Sequence, residues 1–176
     1  MASKRGIVIT AVILAGITGA SFLAWLPGSG GGGASNQATF VISDHKEYLD
    51  SVRNIHEVLV ESTAIEFEML LDGEITAAEY TRSSETTSTQ TAMQIREFIT
   101  SKPPEEWQES YILYGEALRS FNTYVAETQA VASLIEEGGL DGISDAHLRE
   151  SLQRTESLLS ESDEYVKRSD AARPPA

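Results

Sequence analysis

The chain has 176 residues, enough for one domain with a packed core, and carries 13 Lys and Arg against 27 Asp and Glu, a formal charge of −14. Such acidity argues against a nucleic-acid role, because phosphate binding relies on clustered Lys and Arg. No cysteine is present, which excludes disulfides, thiolate zinc sites, iron–sulfur clusters and cysteine nucleophiles and leaves stability to packing alone.

Residues 1–5 read as a short cytoplasmic N-terminus. Residues 6–26 (GIVITAVILAGITGASFLAWL) contain no charge. As a helix they span roughly 31 Å, about the thickness of a bilayer's hydrocarbon core. Lys4 and Arg5 stand immediately before this run, and no further cation occurs until Lys46. The positive-inside rule therefore predicts a single-pass anchor in the plasma membrane, N-terminus in the cytoplasm, with Trp25 at the outer interface. A cleaved signal peptide is the rival reading, since small residues at Thr18/Ala20 or Gly32/Ala34 suit a cleavage enzyme. Its apolar region would run only about 7–15 residues, shorter than this one. Ala11, Ala15 and Gly19 form a small-residue ridge that permits helix pairing and so a homodimer.

Residues 27–43 begin with PGSGGGGAS and read as a flexible linker. Rigid signal transmission through such a joint is not expected. From residue 27 onward the chain holds 11 cations and 27 acids, a net −16, all on the extracytoplasmic side in this topology. No Asn-x-Ser/Thr sequon occurs, so N-glycosylation is not expected.

Residues 44–170 predict four helices. Asp44-His-Lys-Glu47 is a capping box, followed by apolar positions at Tyr48, Val52, Ile55 and Leu59 and a stop at Asp72-Gly73. Thr76-Ala-Ala-Glu79 is a second capping box. The helix it opens has no large apolar residue between Thr81 and Thr91, and its inward stripe is read as Ala78, Arg82, Glu85, Thr89, Ala92, Arg96 and Ile99. Arg82 and Glu85, three apart, suit an ion pair. Either this helix is thin, packed through small residues and largely exposed, or Arg82, Glu85, Thr89 and Arg96 mark a polar interior or a face for a partner.

Lys102-Pro103-Pro104 breaks the chain and restarts it. The third helix carries Trp107, Tyr111, Tyr114, Leu118, Phe121, Val125, Thr128, Ala132 and Ile135, alternating four and three apart, a heptad seam. Glu136-Glu137-Gly138-Gly139 ends it. A fourth helix follows Ser144 as N-cap, with Leu148, Leu152, Thr155, Leu159, Ser162 and Val166 inward. Its outer face offers Asp145–Arg149, Glu150–Arg154, Asp163–Lys167 and Glu164–Arg168 pairs, worth about 0.2–0.5 kcal/mol each. Residues 171–176 read as a disordered tail beginning to fray at Arg173. Long helices joined by short breaks predict an all-α fold, one transmembrane helix plus an antiparallel up-down four-helix bundle. A coiled-coil hairpin that dimerises is the competitor.

Chemistry-bearing constellations are sparse. The di-iron bundle pattern needs Glu-x-x-His pairs, and none of His45, His56 and His147 has Glu three positions before it. The three histidines read as surface or boundary residues. Glu57, Glu61 and Glu68 form an acidic ridge that, with Glu66, Asp72 and Glu74, suits at most loose cation binding, since no calcium-loop motif accompanies it. The aromatics Trp107, Tyr111, Tyr114, Phe121 and Tyr124 read as core. No nucleophile elbow or phosphate loop occurs, so no catalytic residue, metal site or cofactor is predicted.

Three stretches, KRGIVITAVILAGITGASFLAWLP, FVISDHKEYLDSVRNIHEV and EEWQESYILYGEALRSFN, give the chain its texture. In these it resembles a group of small membrane-anchored helical proteins of ammonia-oxidising archaea (Nitrososphaerota). The resemblance implies an archaeal plasma membrane with the domain beneath or within the surface layer, and brings no activity or functional residues. The expected function is a non-catalytic interaction or structural module docking onto an envelope protein. The alternatives are an acidic extracytoplasmic sensor-like domain binding a ligand or cation, and an accessory subunit of a membrane enzyme complex.

Overall fold

A computed structural model describes residues 44–138 and 145–175. The anchor with Lys4, Arg5 and Trp25, the Ala11/Ala15/Gly19 ridge, the linker and the Ser144 cap lie outside the described residues. Those described form four helices and no strand: α1 (His45–Leu71), α2 (Ala77–Thr100), α3 (Glu105–Gly138) and α4 (Asp145–Ala171). None of these is long and apolar enough to cross a membrane.

The predicted boundaries hold because their caps form. At α1 the Asp44 carboxylate accepts the Glu47 backbone N–H at 2.9 Å. The helix closes in a Schellman motif: Gly73 N–H donates to Leu70 O, Glu74 N–H donates to Met69 O, and Gly73 sits at φ +69. At α2 both halves of the capping box form. Thr76 Oγ1 accepts from Glu79 N–H, and the Glu79 carboxylate accepts from Thr76 N–H. The break after α2 places Lys102 at φ +46, in the left-handed region, ahead of the two prolines.

Three clusters stacked along the bundle set its topology. One joins Tyr48, Leu49 and Val52 at the start of α1 to Phe98 at the end of α2, Tyr111, Tyr114 and Leu118 early in α3, and Val166 late in α4. The middle cluster holds Leu59, Phe121, Tyr124 and Val125, with Leu158 and Leu159 against it. The third joins the end of α1 (Phe67, Leu70) to the start of α2 (Ala77, Tyr80), the end of α3 (Val131, Ala132) and the start of α4 (Leu148, Leu152). Consecutive helices therefore run antiparallel. α3 is the central element: its predicted seam from Tyr111 to Ala132 is buried, and Tyr124 is buried beside it.

α3 and α4 approach closely because small residues recur every seven positions on their contact. Ser162 Oγ donates to the Ala117 carbonyl and Ser169 Oγ to the Ser110 carbonyl, both at 2.8 Å. All four residues are at most 2 % exposed. A hydroxyl that satisfies itself on a neighbouring backbone removes the desolvation penalty of burying it, a net gain of about 1 kcal/mol.

Several expectations are corrected. The stripe predicted to face inward on α2 (Ala78, Arg82, Glu85, Thr89, Ala92, Arg96, Ile99) is exposed throughout. Ala77, Tyr80, Ser84, Thr87, Thr91 and Phe98 face the core instead. The helix is rotated because Tyr80 and Phe98, eighteen residues or five turns apart, take the buried side. On α4 Asp163–Lys167 forms, but Arg154 reaches across to Glu127 of α3, and Arg168 lies over the Tyr165 ring. Arg173 does not fray. Its guanidinium donates to Asp50 on α1 at 2.5 Å and contacts Asp170 at 3.0 Å, the latter an ion pair without hydrogen-bond alignment.

Candidate interaction face and the polar interior

His56 is not a surface residue. It is 3 % exposed, enclosed by the Tyr114 and Phe121 rings at 5.8 and 5.0 Å between centroids. Its Nδ1 lies 3.1 Å from the Tyr114 hydroxyl, and Nε2 has no hydrogen-bond partner. Burial, and then the nearby Arg53 charge, pushes its pKa down to about 4. The ring is therefore neutral at pH 7. Burial likewise raises the Tyr114 hydroxyl well above its ordinary range. His45 meets a tyrosine too: the Tyr111 hydroxyl donates to the His45 carbonyl at 2.8 Å.

Glu66 also departs from the sequence reading. Glu57, Glu61 and Glu68 are exposed as the acidic ridge predicts, but Glu66 is 6 % exposed and turns inward. Burial raises its pKa, an effect partly offset by the hydrogen bond from Ser83. Among the described residues no three His, Asp or Glu side chains converge as a metal site would require. The interior polar groups instead pair across helices, Tyr80 Oη donating to Thr128 Oγ1 at 2.6 Å and Gln129 Nε2 to Ser84 Oγ at 3.2 Å. These contacts specify the register of a core whose α2 side has few apolar residues.

The four residues singled out as a polar face, Arg82, Glu85, Thr89 and Arg96, all lie on the outward side of α2, exposed. Arg82 and Glu85 form no ion pair among those of the described residues. The Thr89 hydroxyl turns back onto its own helix, donating to the Glu85 carbonyl at 2.9 Å. The charged ends of this stripe thus face solvent.

Sequence reasoning missed what lies beside it. Between the C-terminal half of α2 and the front of α3 runs an open groove of about 440 Å³. Ile99 and Ile112, 58 % and 65 % exposed, stand on its two sides, with Phe98 and Gly115 between them and Lys102 and Arg119 among its charged residues. The available signal was Ile112, an isoleucine off the heptad seam of α3. No protein-family model, curated protein or solved structure matches this chain.

Proposed function

We propose that this protein is a membrane-tethered extracytoplasmic interaction module without catalytic activity. A helix over residues 6–26 holds it, N-terminus in the cytoplasm, and the glycine-rich linker lets the bundle reorient above the bilayer. The observation that carries this reading is the outward side of α2. It presents charges at Arg82, Glu85 and Arg96 beside exposed apolar side chains at Met93 and Ile99. A bundle satisfied with solvent alone gains nothing from adjoining apolar side chains left in water, whereas a docking face does. The charge-free run over residues 6–26 behind Lys4 and Arg5 supports an envelope location.

Crosslinking in intact membranes, followed by purification of the full chain, tests the proposal. A reproducible protein partner in stoichiometric amount is expected. Recovery of monomer alone, across crosslinkers of different length, would count decisively against it.

A further inference from the structure

We infer that the α2–α3 groove, with the outward stripe of α2 beside it, docks a short amphipathic helix of a partner protein, aliphatic on one side and flanked by carboxylates. The inference rests on the interaction-module reading and names the partner's chemistry.

Apolar exposure is concentrated here. Among the described residues the exposed large hydrophobics are Val58, Met93, Ile99 and Ile112, and three of the four belong to α2 and the front of α3. Ile99 and Ile112 line one groove rather than lying scattered. Single exposed apolar residues are ordinary, but convergent ones mark recognition surfaces.

One lining position sacrifices local stability that the fold does not demand. Gly115 sits in the interior of α3, where glycine costs about 1 kcal/mol relative to alanine. A Cβ there would meet Phe98 Cδ1 at 3.9 Å, ordinary van der Waals contact, so packing does not require the glycine. Its missing side chain instead keeps the groove open. Lys102, at φ +46, is the left-handed residue that ends α2 and places its ammonium at the groove's edge.

Charge selects the occupant. From residue 27 onward acids outnumber cations 27 to 11. Within the groove the order inverts: of the charged side chains that line it, Lys102 and Arg119 stand against Glu116, which is already bonded to Arg119. An acidic segment is repelled by most of the domain and attracted here, which sets its approach and its register. Along α3 the groove extends from Gln108 to Arg119, about 16 Å or three helical turns, the length at which an amphipathic helix presents its i, i+3, i+4 and i+7 anchors.

The test places a photo-crosslinking amino acid at Ile112, and separately at Val58, in the full chain in its native membrane. The Ile112 probe is expected to capture one protein at a segment carrying aliphatic residues and a net negative charge. Lys102→Glu should cut that yield roughly fivefold or more while Lys102→Arg retains it. Gly115→Ala should raise the melting temperature yet lower the yield, which a purely structural role would not do. Adducts to lipid, to a second copy, to residues 1–43 of the same chain or to a basic segment overturn the inference, as does the absence of any adduct at Ile112. If Ile112 captures nothing while Val58 does, the groove is wrong and the interaction module stands. If neither captures a protein, both fail.

Discussion

The Nδ1 atom of His56 on α1 lies 3.1 Å from the Tyr114 hydroxyl on α3, leaving Nε2 buried with no partner. Whichever ring nitrogen carries the proton, one polar atom is desolvated without compensation, a cost of about 1–3 kcal/mol. The bundle accepts this because protonating the ring would cost more.

That asymmetry makes stability depend on pH. Folded His56 stays neutral until the pH nears 4, while in the unfolded chain it takes up a proton near its ordinary 6.5. Above 6.5 its contribution is fully present. As the pH falls from 6.5 to 4, the unfolded state binds the extra proton and stability declines by on the order of 3 kcal/mol. Urea unfolding of the wild type and His56→Leu between pH 7 and 4.5 checks this. The variant should lose the larger part of the decline across that window; parallel curves would refute the assignment.

Glu66 works in the opposite direction. Its raised pKa means that the folded state resists ionisation, so its contribution is favourable at low pH and lost as the pH rises through the folded value. Glu66→Gln should therefore raise the urea midpoint at pH 7, with the gain disappearing below about pH 4.5, the ordinary carboxylate range. A lower midpoint at pH 7 would show that the charge is satisfied after all.

The C-terminus is fastened by a chain of alternating charges running Lys46, Asp50, Arg173, Asp170, Arg53 and Glu57. The hydrogen bond from Lys46 is the largest cause holding the Asp50 carboxyl below its ordinary range. Arg173→Ala should cost about 1–2 kcal/mol at low salt and less at 1 M salt, because the network is partly solvent-exposed. Removing residues 174–176 should change nothing measurable. Thermal melts at two salt concentrations separate these outcomes.

The close contact of α3 and α4 can be probed at Ser162, whose hydroxyl donates to the Ala117 carbonyl. Ser162→Ala should cost only about 1 kcal/mol, the net value of one hydrogen bond. Ser162→Leu should cost more, about 1–3 kcal/mol or beyond, by forcing the two helices apart. Similar midpoints for the two variants in denaturant would mean that the helices are not closely packed there.

Where apolar residues dominate one face, the sequence spoke clearly. The α3 seam is legible because large side chains recur at heptad spacing, and it is buried as read. Caps were legible at Asp44 and Thr76 for a local reason, since each involves a residue three positions on. α2 was misread by about one position because its inward and outward faces are both Ser and Thr rich. Only Tyr80 and Phe98, five turns apart, fix its phase. The Asp50–Arg173 contact joins residues 123 positions apart and has no local signature. His56 falls on the apolar side of α1, four residues from Val52, but a histidine there reads equally well as a boundary residue. The groove was hidden by the same phase error that turned Ile99 inward.

The central claim, that the outward side of α2 is covered by a partner in the membrane, is tested most directly by oxidative footprinting of methionine. Met93 is 37 % exposed on α2, whereas Met69 is 3 % exposed in the interior and serves as the internal control. Met93 should oxidise markedly more slowly in intact membranes than in the purified, partner-free protein, with Met69 slow in both. Equal Met93 oxidation in the two states would contradict the account.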